Sequence, residues 1–234
     1  MAQIFHPSTN TLARVTIFGA LFIIAAAAWV GAEFYRSPYV TGVSVALEQP
    51  VQFSHEHHVA GLGIDCRYCH TSVEDAAFAG MPSTKTCMTC HSQIWTNAEL
   101  LAPVRQSWQT GSPIRWARVH DLPDFAHFDH SIHVNKGIGC VSCHGAVDEM
   151  PLMWKEQSLQ MEWCLQCHRD PGKHVRPREQ VFNLEWEWPP EVNRDEEVKK
   201  LMELYKIKAE PVPPPDAHHE MKPNQLTNCS VCHY

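Results

Sequence analysis

Every cysteine in this chain falls into one repeated pattern. The ten cysteines form five Cys-x-x-Cys-His units, with none left over. They are Cys66, Cys69 and His70; Cys87, Cys90 and His91; Cys140, Cys143 and His144; Cys164, Cys167 and His168; and Cys229, Cys232 and His233. This spacing is the attachment motif of c-type haem. Two thiols three apart can bond one porphyrin edge, and the next residue brings an imidazole to the iron. Zinc sites and thioredoxin-like sites also use Cys-x-x-Cys pairs, but neither needs a histidine after every second cysteine. The expected cofactors are therefore five covalently attached haem c groups.

Five such groups change how length is read. Of the 234 residues, those after the first membrane-length segment leave only about 40 per haem, too few for each to have its own protein core. The fold class expected is a multihaem cytochrome c with short helices, long irregular stretches and little or no sheet. The formal net charge is -7, and haem propionates add to it. That balance, with no basic run, argues against nucleic acid as a partner. Arg67, Arg105, Arg115, Arg118, Arg169, Arg176 and Arg178 are candidate propionate partners or ordinary solvated arginines.

Residues 15–32 carry no charge and are mostly apolar. The run suffices for a membrane-spanning helix and exceeds the h-region of a signal peptide. Trp29, Phe34 and Tyr35 would anchor one interface. A cleaved signal is the rival reading, since Val30, Gly31 and Ala32 resemble a cleavage site. The expected placement is a single pass in the cytoplasmic (inner) membrane. Haem attachment takes place outside that membrane, so the haem domain is expected on the periplasmic side.

The rest of the chain contains a repeat. Phe53, His55, His58 and Val59 precede Cys66, and Phe128, His130, His133 and Val134 precede Cys140. A second motif follows each first one. The repeat length, about 75 residues, marks a duplicated dihaem module. The expected division is an anchor at 1–36, a first dihaem module at 37–105, a second at 106–185, and a proline-rich strap with the fifth haem at 186–234. Within the strap a helix is expected after Asn193, a candidate cap, with Val198, Leu201, Met202 and Tyr205 at helical spacing. That stripe is expected to pack on its own chain.

The 16 histidines exceed the five in the motifs. His55 and His58, like His130 and His133, are three apart, so both rings of a pair point to one side of a helical turn. They cannot flank one iron, but they can reach two neighbouring irons. The pool left for the fifth iron is His57, His120, His127, His174, His218 and His219. Met81, Met150 and Met153 are weaker candidates, with core packing their expected role.

These elements resemble the class III multihaem cytochromes c. In that family the first histidine of Phe-x-His-x-x-His ligates the haem whose motif follows, and the second ligates another haem. Carried over, His55 faces His70 and His130 faces His144, while His58 serves the haem of His91 and His133 that of His168. The whole plan is also similar to the pentahaem subunit (ActA) of alternative complex III. It shares one N-terminal helix, five motifs in a 2+2+1 layout, and the run His120, Asp121, Leu122, Pro123, Asp124, Phe125 before the second clamp. That resemblance implies His120 as ligand of the remaining haem. It also implies an iron–sulfur subunit, polytopic quinol-site membrane subunits and a monohaem cytochrome c as partners.

The function expected is electron relay within a quinol-oxidising respiratory or photosynthetic complex, toward a cytochrome c or an oxidase, with no catalytic residue of the chain's own. A membrane-anchored quinol dehydrogenase is the alternative. A nitrite or hydroxylamine reductase is a third reading, and it needs an open iron position.

Overall fold

The computed structural model describes residues 5–208 and 225–233. Two units separate at the Val43–Ser44 junction. The first is dominated by the helix Ser8–Arg36, none of whose residues is buried. Its mean hydropathy reaches 2.2 over an 18-residue window. At 1.5 Å per residue its 29 residues extend about 44 Å, longer than a bilayer's hydrocarbon core of about 30 Å. The helix stops at Ser37 because Pro38 follows. Proline disfavours helical geometry in the residue before it, and Ser37 is extended at φ -65, ψ 155. The Ser37 hydroxyl donates to the Phe34 carbonyl at 2.6 Å, capping the end.

The second unit is short helices joined by irregular chain, as expected. Among the described residues no strand forms, only isolated antiparallel bridges at Ala126↔His233 and Ile138↔Val175. Each cysteine pair lies on about one helical turn: Cys66–Cys69, Thr84–His91, Val141–His144, Met161–Arg169 and Cys229–Val231. One turn brings residues i and i+3 to the same side, which is what a two-point attachment needs.

The two modules exchange contacts in a near-symmetric way. In the second clamp, the Ser131 N–H donates to the Ala76 carbonyl at 3.2 Å. In the first, the Glu56 N–H donates to the Met150 carbonyl at 3.1 Å. Each clamp thus docks on the chain that follows the other module's first motif.

Apolar packing by the polypeptide itself is thin. Among the described residues one cluster joins Val73, Val134 and Val181 with Ala79, Cys140 and Phe182. Another joins Ile138, Val175 and Tyr205 with Leu201, Met202 and Ile207. The helix Arg194–Leu204 therefore turns its apolar stripe onto its own chain. Asn193 precedes it but makes no side-chain cap. Met150 is only 1% exposed, as a packing residue should be. The prolines at 211–215, His218 and His219 lie outside the described residues.

Candidate functional site

Phenylalanine orders each clamp. Phe128 stacks on His133 at 4.5 Å and meets His130 edge-on at 4.8 Å. Phe53 does the same to His58 and His55, at 4.4 and 4.9 Å. The ring therefore splays the two imidazoles toward different motifs. His130 lies 6.2 Å from His144, with planes 8° apart. His133 lies 6.2 Å from His168, and His58 lies 6.2 Å from His91.

That repeated separation has a chemical meaning. A metal–imidazole bond is about 2.0 Å and the ring centre lies about 1.15 Å beyond the nitrogen, so two imidazoles in line on one metal have centres roughly 6.3 Å apart. The three pairs fit this requirement. After burial, the charge of His70 is the next influence lowering His55, so the two lie near one another.

Hydrogen bonds set which nitrogen faces the metal. Nδ1 donates to a backbone carbonyl in His58 (Ser54), His70 (Gly80), His91 (Ile94), His130 (Ala77), His133 (Asp129), His168 (Leu226) and His233 (Phe125), at 2.6–3.2 Å. A carbonyl only accepts, so Nδ1 carries the hydrogen and Nε2 keeps its lone pair for a metal. His127 is opposite. Its Nε2 donates to the Val231 carbonyl at 2.7 Å, which occupies the nitrogen a ligand would use.

His120, expected to serve the fifth motif, packs beside the third-motif imidazole in this structure. His120 lies edge-on to His144, 4.4 Å between centres, and feels the charge of His130. This is too short for two rings in line on one metal. His233 instead stacks on Phe125 at 5.8 Å, because the Ala126↔His233 bridge brings the chain ends of these segments together. His174 sits away from the motif imidazoles, beside Lys173, Trp186, Trp188 and Arg194. Most of the candidate arginines meet protein groups: Arg67 meets Asp65, Arg105 the Ala98 carbonyl, Arg118 Asp121, Arg176 the Asn183 carbonyl, and Arg178 the Asn135 carbonyl.

Electrostatics favour neutral imidazoles and quiet thiols. Burial, then the charges of His120 and His130, pushes His144 down to about 3. Burial chiefly holds His55 and His120 at about 4. Neutral imidazole is the ligating form. Burial raises the thiols of Cys140 and Cys143 to about 12. A redox-active Cys-x-x-Cys thiol is shifted the other way. Among the described residues no group of three or more His, Cys, Asp or Glu is placed to hold a metal ion. The residues assemble the two-imidazole set suited to a porphyrin iron, which brings its own four nitrogens, and not a tetrahedral zinc set.

Contacts that sequence reasoning does not reveal link the motifs to one another. Tyr68 and Thr89, inside the first and second motifs, share a hydrogen bond at 2.9 Å. Arg67 covers Phe182 at 4.5 Å, and Phe182 packs in the cluster containing Cys140. The helix His130–Asn135 faces the third and fourth motifs with its two histidines. His168 donates to Leu226, just ahead of the fifth motif. The thiols follow the same order. After burial, the largest influence on Cys69 is Cys87, on Cys140 it is Cys66, on Cys143 it is Cys167, and on Cys164 it is Cys232.

Comparison with known proteins agrees with this geometry. Residues 36–111 match the class III cytochrome c family, and residues 126–198 match cytochrome c7 and related cytochromes c. The multihaem cytochrome c subunit of menaquinone reductase from Nitratidesulfovibrio vulgaris is 32% identical over 150 residues, covering 57% of this chain. The match spans 65% of that relative's length, just under two thirds. The stretches carrying the two clamps are thus each similar to cytochromes c of the class III and cytochrome c7 kind.

Proposed function

We propose that the chain holds five haem c groups in single file and relays electrons along them within a quinone-linked membrane complex. The thiol pairs tether the groups, and His70, His91, His144, His168 and His233 supply one imidazole each. His58, His130 and His133 supply the opposite imidazole for the second, third and fourth motifs, supported by the 6.2 Å ring separations. His55 does so for the first, supported by the repeat and by the nearby charge of His70 acting on it.

Haem c supplies a one-electron couple at each site. The residues do the rest. At the first four motifs two imidazoles close both faces, leaving no position for a substrate there. Carbonyl-bound Nδ1 groups fix seven of these rings, so little reorganises there on redox change. The file runs second, first, third, fourth, fifth motif, which makes the second and fifth the terminal sites. The observation that carries this reading is the set of three equal ring separations in two copies of one clamp.

The helix Ser8–Arg36 would anchor the chain in the inner membrane with the haem domain periplasmic. An iron–sulfur subunit, polytopic quinone-site subunits and a monohaem cytochrome c are the proposed partners. Transfer from quinol toward a cytochrome c or an oxidase follows from the resemblance to alternative complex III. Transfer toward menaquinone is the second reading, favoured by the name of the relative. Stopped-flow mixing of the intact complex with menaquinol decides between them. Rapid haem reduction supports the first direction, and haem oxidation by menaquinone alone supports the second. Quinol turnover by the isolated chain would overturn the relay and support a quinol dehydrogenase.

A further inference from the structure

The two clamps differ at one hydrogen bond. His130 Nδ1 donates to the Ala77 carbonyl at 2.8 Å. Its counterpart, His55 Nδ1, is buried and has no partner. Buried polar atoms are almost always paired, so each exception needs a cause. Three such side-chain atoms stand out in the described residues: His55 Nδ1, His120 Nε2 and Asp148 Oδ1.

Two of the three lie on segments that pack against each other. Asp148 is 9% exposed and lies on the turn Val147–Glu149. That turn packs against Glu56–Gly61, the segment His55 opens. The Glu56 N–H to Met150 carbonyl bond, 3.1 Å, ties the residue after His55 to the residue two beyond Asp148. Burial foremost, then Asp65 and more weakly Asp148, raises the Cys66 thiol, so the carboxylate also borders the first motif. One orphaned atom is a donor and the other an acceptor.

We propose that Asp148 is the positioning residue of His55, its carboxylate accepting the Nδ1–H. This rests on the reading that His55 ligates the haem of Cys66 and Cys69. His55 is then the one clamp histidine held by a charged side chain, where the others use backbone carbonyls. A carboxylate partner draws the Nδ1 proton and makes the imidazole a stronger donor, which favours the oxidised iron. The first-motif site is thereby set to a lower potential than its carbonyl-held neighbours.

The test is potentiometry with electron paramagnetic resonance on the intact complex carrying Asp148→Asn, with Glu149→Gln as the exposed neighbouring control. The expected result is an upward shift of one midpoint and one altered low-spin signal, with five haems retained and the control unchanged. Five retained haems with every midpoint at its wild-type value would overturn the proposal, and would leave His55 held by a carbonyl such as that of Pro151. A wild-type count below five haems, or a spectrum unmoved by His55→Met, would instead sink the ligand reading beneath it. Redox difference infrared spectra of the wild-type complex with isotope-labelled aspartate need no variant. An aspartate carboxylate band that responds to reduction supports the pairing, and its absence overturns it.

Discussion

The first clamp is a π-helical turn, Glu56–Gly61, and the second is an α-helix, His130–Asn135. Yet Phe53 and Phe128 hold their histidine pairs at nearly the same separations, 4.4 and 4.9 Å against 4.5 and 4.8 Å. The cause is one extra residue between His58 and Cys66 relative to the stretch from His133 to Cys140. A π turn takes up an added residue inside a helix and recurs at functional sites. The aromatic triad is thus what the duplicated modules keep, and the backbone bends around it.

The largest effect should come from breaking attachment in one module at a time. Cys140→Ala with Cys143→Ala removes a haem where Cys140 also packs with Val73, Val134 and Val181. The second module should fail to accumulate. Cys87→Ala with Cys90→Ala, at the end of the file, should lose one haem and leave the rest. Pyridine haemochrome counts per chain check both.

Acid should act next. His144 at about 3, and His55 and His120 at about 4, lie below the ordinary 6.5. Above about pH 6.5 these groups are neutral whether folded or not, so stability is unaffected. As the pH falls from 6.5 toward those values, the unfolded chain takes up protons that the folded chain refuses, and stability drops. Iron on Nε2 acts with the same sign. Melting temperatures should hold above neutrality and fall steadily below it; a flat profile down to about pH 4.5 would contradict the shifts.

The glycines after the clamps sharpen the contrast. Gly63 and Gly137 occupy equivalent places, at φ +66 and +75. An added Cβ meets nothing at Gly63, but at Gly137 it meets Tyr205 Cε2 at 2.5 Å and the Arg176 carbonyl at 2.6 Å. Gly63→Ala should cost about 1–2 kcal/mol from backbone strain alone. Gly137→Ala should cost about 3–4 kcal/mol, the clash adding to the strain. Denaturant titration would show equal costs if the two turns were packed alike.

The smallest effect is expected from Phe53→Leu and Phe128→Leu. Each keeps bulk but loses the ring contacts, worth about 0.5–1.5 kcal/mol. Both should shift the midpoints of the two haems their histidines serve by similar amounts. A shift confined to one module would show that the triads are not equivalent.

Much of this was legible in the residues. Five Cys-x-x-Cys-His units and the repeated Phe-x-His-x-x-His are local patterns, so short-range geometry already constrains them. The helix Arg194–Leu204 was readable from Val198, Leu201 and Met202, although its Asn193 cap was not formed. The surroundings of His120 were not legible, because they depend on which distant segments meet. Local sequence carries no record that residues 120 and 144 converge while Phe125 goes to His233. The carbonyl partners of the Nδ1 atoms were equally hidden, since His168 to Leu226 and His130 to Ala77 link separate stretches.

The amino-acid order by itself determined how many Cys-x-x-Cys-His units the chain carries, which histidine follows each pair of thiols, and that one helix is long and apolar enough to cross a bilayer. These follow from bonds and side-chain periods within a few residues. Only the tertiary structure decided the contacts between motifs, the three facing imidazole pairs and the unmatched Asp148. Those depend on through-space approach between segments tens of residues apart, and that approach is settled by packing and hydrogen bonding across the whole fold.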